Sequence, residues 1–188
     1  MPDFRFDEDE HQYTLDGEVL VGVSETLVDV GLMDYYPPNP FYLERGIAVH
    51  EACNLYLFGR LDEESVDPIV KPHLEGFKAF LSQHAFTPDE WLCEVPQYHP
   101  DWLYAGRPDL VGRLNGRRAV IDIQSGGLGK SKAIQTAAYA EFPNLQPIDA
   151  RFGLSLPTDG SYKLVEFKER SDFDIWRAAL TIYRAKRR

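Results

Sequence analysis

From His11 to Val23 the chain alternates: Tyr13 and Leu15, then Val19, Val21 and Val23, are spaced by other residues. That two-residue period belongs to strands buried on one face. Asp16-Gly17 between the two runs supplies a tight turn, so the segment predicts a hairpin. Ser24, followed by Glu25, opens a short helix toward Gly31 with Ser24 as its N-cap. Pro37-Pro38-Asn39-Pro40 is a stiff loop that breaks any helix. The period then lengthens. Phe41 to Phe58 predicts a helix, with Leu43, Ile47, Leu55 and Leu57 among its apolar positions. Residues 60–70 are acidic and loop-like. A second amphipathic helix runs from Lys71 or Pro72 to His84, with Leu74, Phe77, Phe80 and Leu81 on its inner face.

Beyond this point the pattern returns to strands. Trp91 to Tyr98 reads as one, and Tyr104 to Leu114 contains another, interrupted early by Gly106 and Pro108. Asn115-Gly116 is a strong hairpin turn, and Arg118 to Gln124 is its partner strand, apolar enough to lie centrally in a sheet. Gly126-Gly127-Leu128-Gly129 is a loop and Ser131 to Phe142 an alanine-rich helix. Arg151 to Leu156 and Tyr162 to Phe167 predict a last hairpin around Thr158-Asp159-Gly160. Ser171 then caps a helix that reaches the C-terminus. The order predicts one α/β domain over residues 1–188, a central mixed sheet flanked by helices. Residues 1–40 hold the hairpin, short helix and proline loop, and 41–188 the core.

Composition narrows the class. With 188 residues, 44% hydrophobic and 27% charged, the chain can bury a core without disulfides. Cys53 and Cys93 fit no metal-ligand pair, cannot by themselves hold an iron–sulfur cluster, and are expected as reduced core thiols. No apolar run approaches the ~20 residues of a membrane span, and the N-terminus lacks the pattern of a signal peptide. A cytoplasmic protein with no membrane partner is expected. A net charge of −10 argues against tight nucleic-acid binding by charge alone, but suits a site that gathers carboxylates around a metal. The run Arg184-Ala185-Lys186-Arg187-Arg188 is either a guiding basic patch or a solvated helix end.

Two aspartates stand out. Asp122 lies inside the apolar run Val120-Ile121-Asp122-Ile123, where a charge is costly unless a cation or several donors meet it. Asp109 closes Gly106-Arg107-Pro108-Asp109, and alone would pass for a turn residue. The Asn115-Gly116 turn brings their strands side by side. Paired carboxylates suit a hard divalent cation, which can polarise a phosphate and activate water for phosphodiester hydrolysis. Glu94 is either a further ligand or a surface strand residue. His50, four residues after Gly46 on one helix face, is either a metal ligand or an ordinary helix histidine. Gly46 inside a helix suggests close approach of another backbone. Gln135 and Tyr139, also four apart, can point back toward Asp122.

In this order the pieces resemble the PD-(D/E)XK nuclease superfamily, most closely its RecB-type exonuclease branch with its small phage members. The family pattern is a Gly-x-x-x-His helix, a strand glutamate, a Gly-x-x-Asp strand, an Asp-x-Lys strand and a Gln-x-x-x-Tyr helix. Here these are Gly46 to His50, Glu94, Gly106 to Asp109, Asp122-Ile123-Gln124 and Gln135 to Tyr139. The resemblance implies a restriction-endonuclease-like core and a DNA exonuclease of phage or bacterial DNA processing. Asp109 and Asp122 would bind Mg²⁺ or Mn²⁺ with the Ile123 carbonyl, and His50 would assist. Gln135 and Tyr139 would support the site or the DNA.

Gln124 departs from the family lysine. Glutamine can orient water but brings no charge. Lys130 or Lys132 could reach in instead. The departure keeps a second reading open: an inactive nuclease fold that binds DNA or a DNA-processing protein. A third is a plain α/β interaction protein in which Asp122 pairs with a buried arginine, such as Arg107.

Overall fold

The computed structural model of the protein describes residues 2–33 and 39–188. The fold is α/β, with two mixed five-stranded sheets flanked by helices. Turn chemistry shapes the first sheet. β2 (Gln12–Leu15) and β3 (Glu18–Gly22) form the expected hairpin. Asp16 and Gly17 both have positive φ (52° and 87°), as this two-residue turn demands. An unanticipated strand, β1 (Phe4–Asp7), pairs with β2. β6 (Tyr104–Gly106) joins β3 in parallel, and β5 (Gln97–His99) forms the other edge.

The second sheet holds the centre of the molecule. β7 (Leu110–Leu114) and β8 (Arg117–Gln124) turn on Asn115 and Gly116, again both at positive φ. β8 runs parallel to β9 (Ala150–Ser155), which pairs with β10 (Lys163–Glu166). β4 (Phe86–Pro88) forms the edge beside β7. Alternation along β8 sends Ala119, Ile121 and Ile123 to one face and Val120 and Asp122 to the other. The first face packs on α2 (Pro40–Leu57) through Val49, Ala52 and Cys53, and on α3 (Lys71–Gln83) through Leu74, Phe77 and Phe80. The second packs on α1 (Val23–Asp29), α4 (Ser131–Ala140) and α5 (Ser171–Ala185), through Leu27, Ala138, Tyr139, Trp176 and Leu180. Each such large side chain taken from water contributes about 1.5–3 kcal/mol.

Several local expectations are corrected. Residues 91–94 form turns, and only Gln97–His99 of the expected strand is extended. Trp91 is 83% exposed, so its apolar run is not a sheet interior. Gly22, not Ser24, caps α1, and its amide donates to Glu25 Oε2 at 3.4 Å. Ser171 is the first residue of α5 rather than its cap. In α2 the buried positions are Val49, Ala52 and Cys53, while Leu43 and Ile47 are exposed. Pro37 and Pro38 of the expected loop lie outside the described residues; Asn39 caps α2, accepting from the Phe41 amide at 3.2 Å, with Pro40 in its first turn. Cys53 and Cys93 are free and buried. No helix among the described residues is long and apolar enough to cross a membrane.

Candidate metal centre

The β7–β8 hairpin brings the two aspartates together. Its register sets Leu110 opposite Ile121, and one step outward this places Asp109 opposite Asp122. Asp109 Oδ2 accepts the Ile123 amide at 2.6 Å, which ties the entrance of β7 to the end of β8. Asp122 is only 2% exposed and meets the cation its burial requires. That cation is Lys132, with Nζ 3.2 Å from Oδ2. It is not Arg107, whose Nε instead pairs with Glu94 Oε2 at 3.1 Å. The third reading of the sequence loses its salt bridge.

Helix α2 delivers His50 to the same place. Its Nδ1 lies 3.4 Å from Glu94 Oε1 and 3.5 Å from Asp109 Oδ1. One ligand-type atom from each of His50, Glu94 and Asp109 falls within 4.8 Å of the others. Glu94 reaches this position from a turn, not from a strand. Its φ of 54° is left-handed, a conformation that costs a non-glycine residue of order 1–3 kcal/mol, and its amide donates to the Pro108 carbonyl at 2.9 Å. Gly46 answers to no close backbone: a β-carbon there would meet only Ser125 Oγ, at 4.0 Å.

Electrostatics mark the cluster as short of cations. Burial disfavours a charged His50, yet Asp109 and Glu94 outweigh it and raise His50 well above its ordinary value. Burial also works to raise Asp109, but His50, the Ile123 amide and Lys132 hold its carboxyl below the usual range. Burial, opposed by Lys132 and helped by Asp109, pushes Asp122 up to about 6. Burial raises Glu94 as well, partly countered by His50. His50 Nδ1 thus sits between two carboxylates that favour a proton on it. Nitrogen and carboxylate oxygen donors at this spacing fit a divalent cation, which would displace that proton.

Helix α4 closes the other side. Lys132, Gln135 and Tyr139 recur at helical spacing on its inner face. Gln135 Oε1 accepts from Lys132 at 2.7 Å, and its Nε2 donates to Tyr139 Oη at 2.8 Å and to Ser24 Oγ at 3.3 Å. Gln135 and Tyr139 therefore reach Asp122 through Lys132. Gln124 Nε2 donates to Asp122 Oδ2 at 3.1 Å and to the Ile123 carbonyl at 2.6 Å. Lys130 is exposed at the start of α4. The sequence does not announce the hold of Arg107 on Glu94 or of Ser24 on Gln135: Ser24 reads there as a helix cap and Arg107 as a partner for Asp122. In the C-terminal run, Lys186 and Arg187 pair with Asp29, at 2.7 and 3.1 Å. This favours the helix-end reading of those two residues over a free basic patch.

No protein-family model matches this chain, and no curated protein matches it. Among solved structures it is similar to the alkaline exonuclease LHK-Exo from Laribacter hongkongensis, at 14% identity over 89% of this chain and 87% of that one, with a TM-score of 0.45. It is also similar to the protein SSO0001, at 14% identity over 87% and 84% of the two chains, with a TM-score of 0.39. Likenesses this slight leave the function to be read from the site itself.

Proposed function

We propose that the protein is a divalent-metal-dependent DNA nuclease of PD-(D/E)XK type. The convergence of His50, Glu94 and Asp109 within 4.8 Å, beside the buried Asp122, carries this reading. Asp109, Asp122, His50 and the Ile123 carbonyl would hold Mg²⁺ or Mn²⁺, with Glu94 in support. When bound, the cation polarises the scissile phosphate and lowers the pKa of the attacking water. The chain's own part is to hold and orient. The Ile123 amide fixes Asp109, Gln124 fixes Asp122, and Arg107 steadies Glu94. The exonuclease mode rests on the motif order shared with the RecB-type branch. The inactive-binder reading rests on Gln124 and the net charge of −10; the ammonium of Lys132 beside Asp122 supports the nuclease reading over it.

Incubation with linear and with circular DNA, with and without Mn²⁺, tests the reading. Cleavage that requires Mn²⁺ and linear ends, and that falls at least about 100-fold in Asp122→Ala, is expected. No metal-dependent cleavage, or cleavage indifferent to Asp122→Ala, overturns it.

A further inference from the structure

The strand position two residues after Asp122 holds Gln124, which has no charge. The site nevertheless contains an ammonium group, delivered from a different element. Lys132, in the first turn of α4, places Nζ 3.2 Å from Asp122 Oδ2 and 3.4 Å from Oδ1. Its side chain is largely buried, at 15% exposure, and Gln135 Oε1 holds the same nitrogen at 2.7 Å. The turn that carries it is anchored. Arg151 donates to the Ala133 carbonyl at 2.6 Å, and Thr136 Oγ1 donates to the carbonyl of Lys132 itself at 2.8 Å.

We propose that α4 supplies the positive charge that position 124 of β8 lacks, making Lys132 a catalytic lysine and Gln124 a positioning residue. The assignment rests on the nuclease reading. In hydrolysis the water oxygen bonds to phosphorus and the bond from phosphorus to the leaving sugar oxygen breaks. The water gives up a proton to solvent, and the leaving oxygen takes one from solvent. Negative charge grows on the phosphoryl and leaving oxygens meanwhile. An ammonium on a flexible four-carbon stem, already beside Asp122, can turn to that charge once a divalent cation shares the carboxylate. Gln124 acts differently, holding Asp122 Oδ2 and the Ile123 carbonyl in one geometry.

A purely structural lysine and a catalytic one predict opposite responses to metal. A structural Lys132 keeps Asp122 in place, so its loss weakens metal binding. A catalytic Lys132 competes with the metal for Asp122, so its loss leaves binding unchanged or tighter. The test compares the full-length wild type with Lys132→Gln, Lys132→Arg and Lys132→Gln/Gln124→Lys. The readouts are Mn²⁺ affinity by calorimetry without DNA, thermal unfolding, and cleavage of linear DNA. Lys132→Gln is expected to keep Mn²⁺ affinity and lose about 100-fold or more in kcat. Lys132→Arg, which retains the charge, is expected to keep more activity than Lys132→Gln. The double variant, with lysine returned to the strand, is expected to recover part of the loss. Lys132→Gln cutting within a few-fold of wild type, or losing Mn²⁺ binding together with cleavage, overturns the assignment, as does a double variant no better than the single one. Failure of the nuclease reading is separate: the wild type itself neither binds Mn²⁺ nor cuts, and both proposals fall.

Discussion

A β-carbon on Gly106 would lie 2.7 Å from Cε1 of Tyr139. The glycine that opens Gly106 to Asp109 is thus the seat for the tyrosine of α4, and two motifs far apart in sequence are one packing contact. Val23 Cγ2 crowds the same point at 3.2 Å, so a methyl group has nowhere to go without moving the ring. Gly106→Ala is expected to destabilise the protein by about 1–3 kcal/mol through overpacking. Moving the ring also disturbs the bond from Gln135 to Tyr139 Oη, and Gln135 is one of the two groups that hold Lys132. Urea unfolding checks the first effect. A loss of cleavage per folded molecule checks the second, and an alanine variant with wild-type stability and activity would show that the ring moves aside freely.

The buried Asp122 gives the metal-free protein a pH dependence of definite sign. Burial raises its carboxyl to about 6 from an ordinary 3.8. A group that binds its proton more tightly in the folded chain stabilises the fold below its unfolded pKa. That contribution disappears as pH rises through the folded pKa. In EDTA, wild type is therefore expected to lose stability relative to Asp122→Asn between about pH 4 and pH 7. Mn²⁺ is expected to reverse the loss above about pH 6, because the cation favours the ionised carboxylate. Melting temperatures of both proteins across this range check the prediction; a constant difference between them contradicts it.

The ion pair of Arg151 and Asp172 is the structural counterpart of the site. Nitrogen and oxygen lie 2.8 Å apart, with side chains 5% and 11% exposed. Arg151 also donates to the carbonyls of Ala133 and Glu169, so one guanidinium joins β9 to α4 and α5. Asp172→Ala leaves that guanidinium buried and unpaired, and is expected to cost about 3–5 kcal/mol. Equilibrium denaturation measures it. A change within about 0.5 kcal/mol, as for a surface substitution, would contradict a buried pair.

Much of the second sheet was legible because local chemistry dictates it. Asn115 and Gly116 tolerate the positive φ of a hairpin turn, and the apolar, β-branched run from Ala119 to Ile123 that follows the turn suits a central strand. The same two signals place Asp109 opposite Asp122. Glu94 was misplaced because Trp91, Leu92 and Cys93 imitate a strand. Their turns are held by tertiary bonds, such as that of the Cys93 Sγ with Val111, which no local pattern announces. In α2 the apolar positions surround the helix, so periodicity could not say that Val49 faces the core and Ile47 does not. The sequence does not tell Lys130 from Lys132, although two residues turn a helix by more than half a circle and so set them on opposite sides of α4. One is exposed; the other meets Asp122.

The metal centre itself is tested most directly by a crystal soaked in Mn²⁺ and measured at the manganese absorption edge. The account predicts an anomalous peak bounded by His50 of α2, Asp109 and Asp122, with Lys132 drawn away from Asp122. No peak, or a peak remote from these residues while Lys132 still holds Asp122, would contradict it.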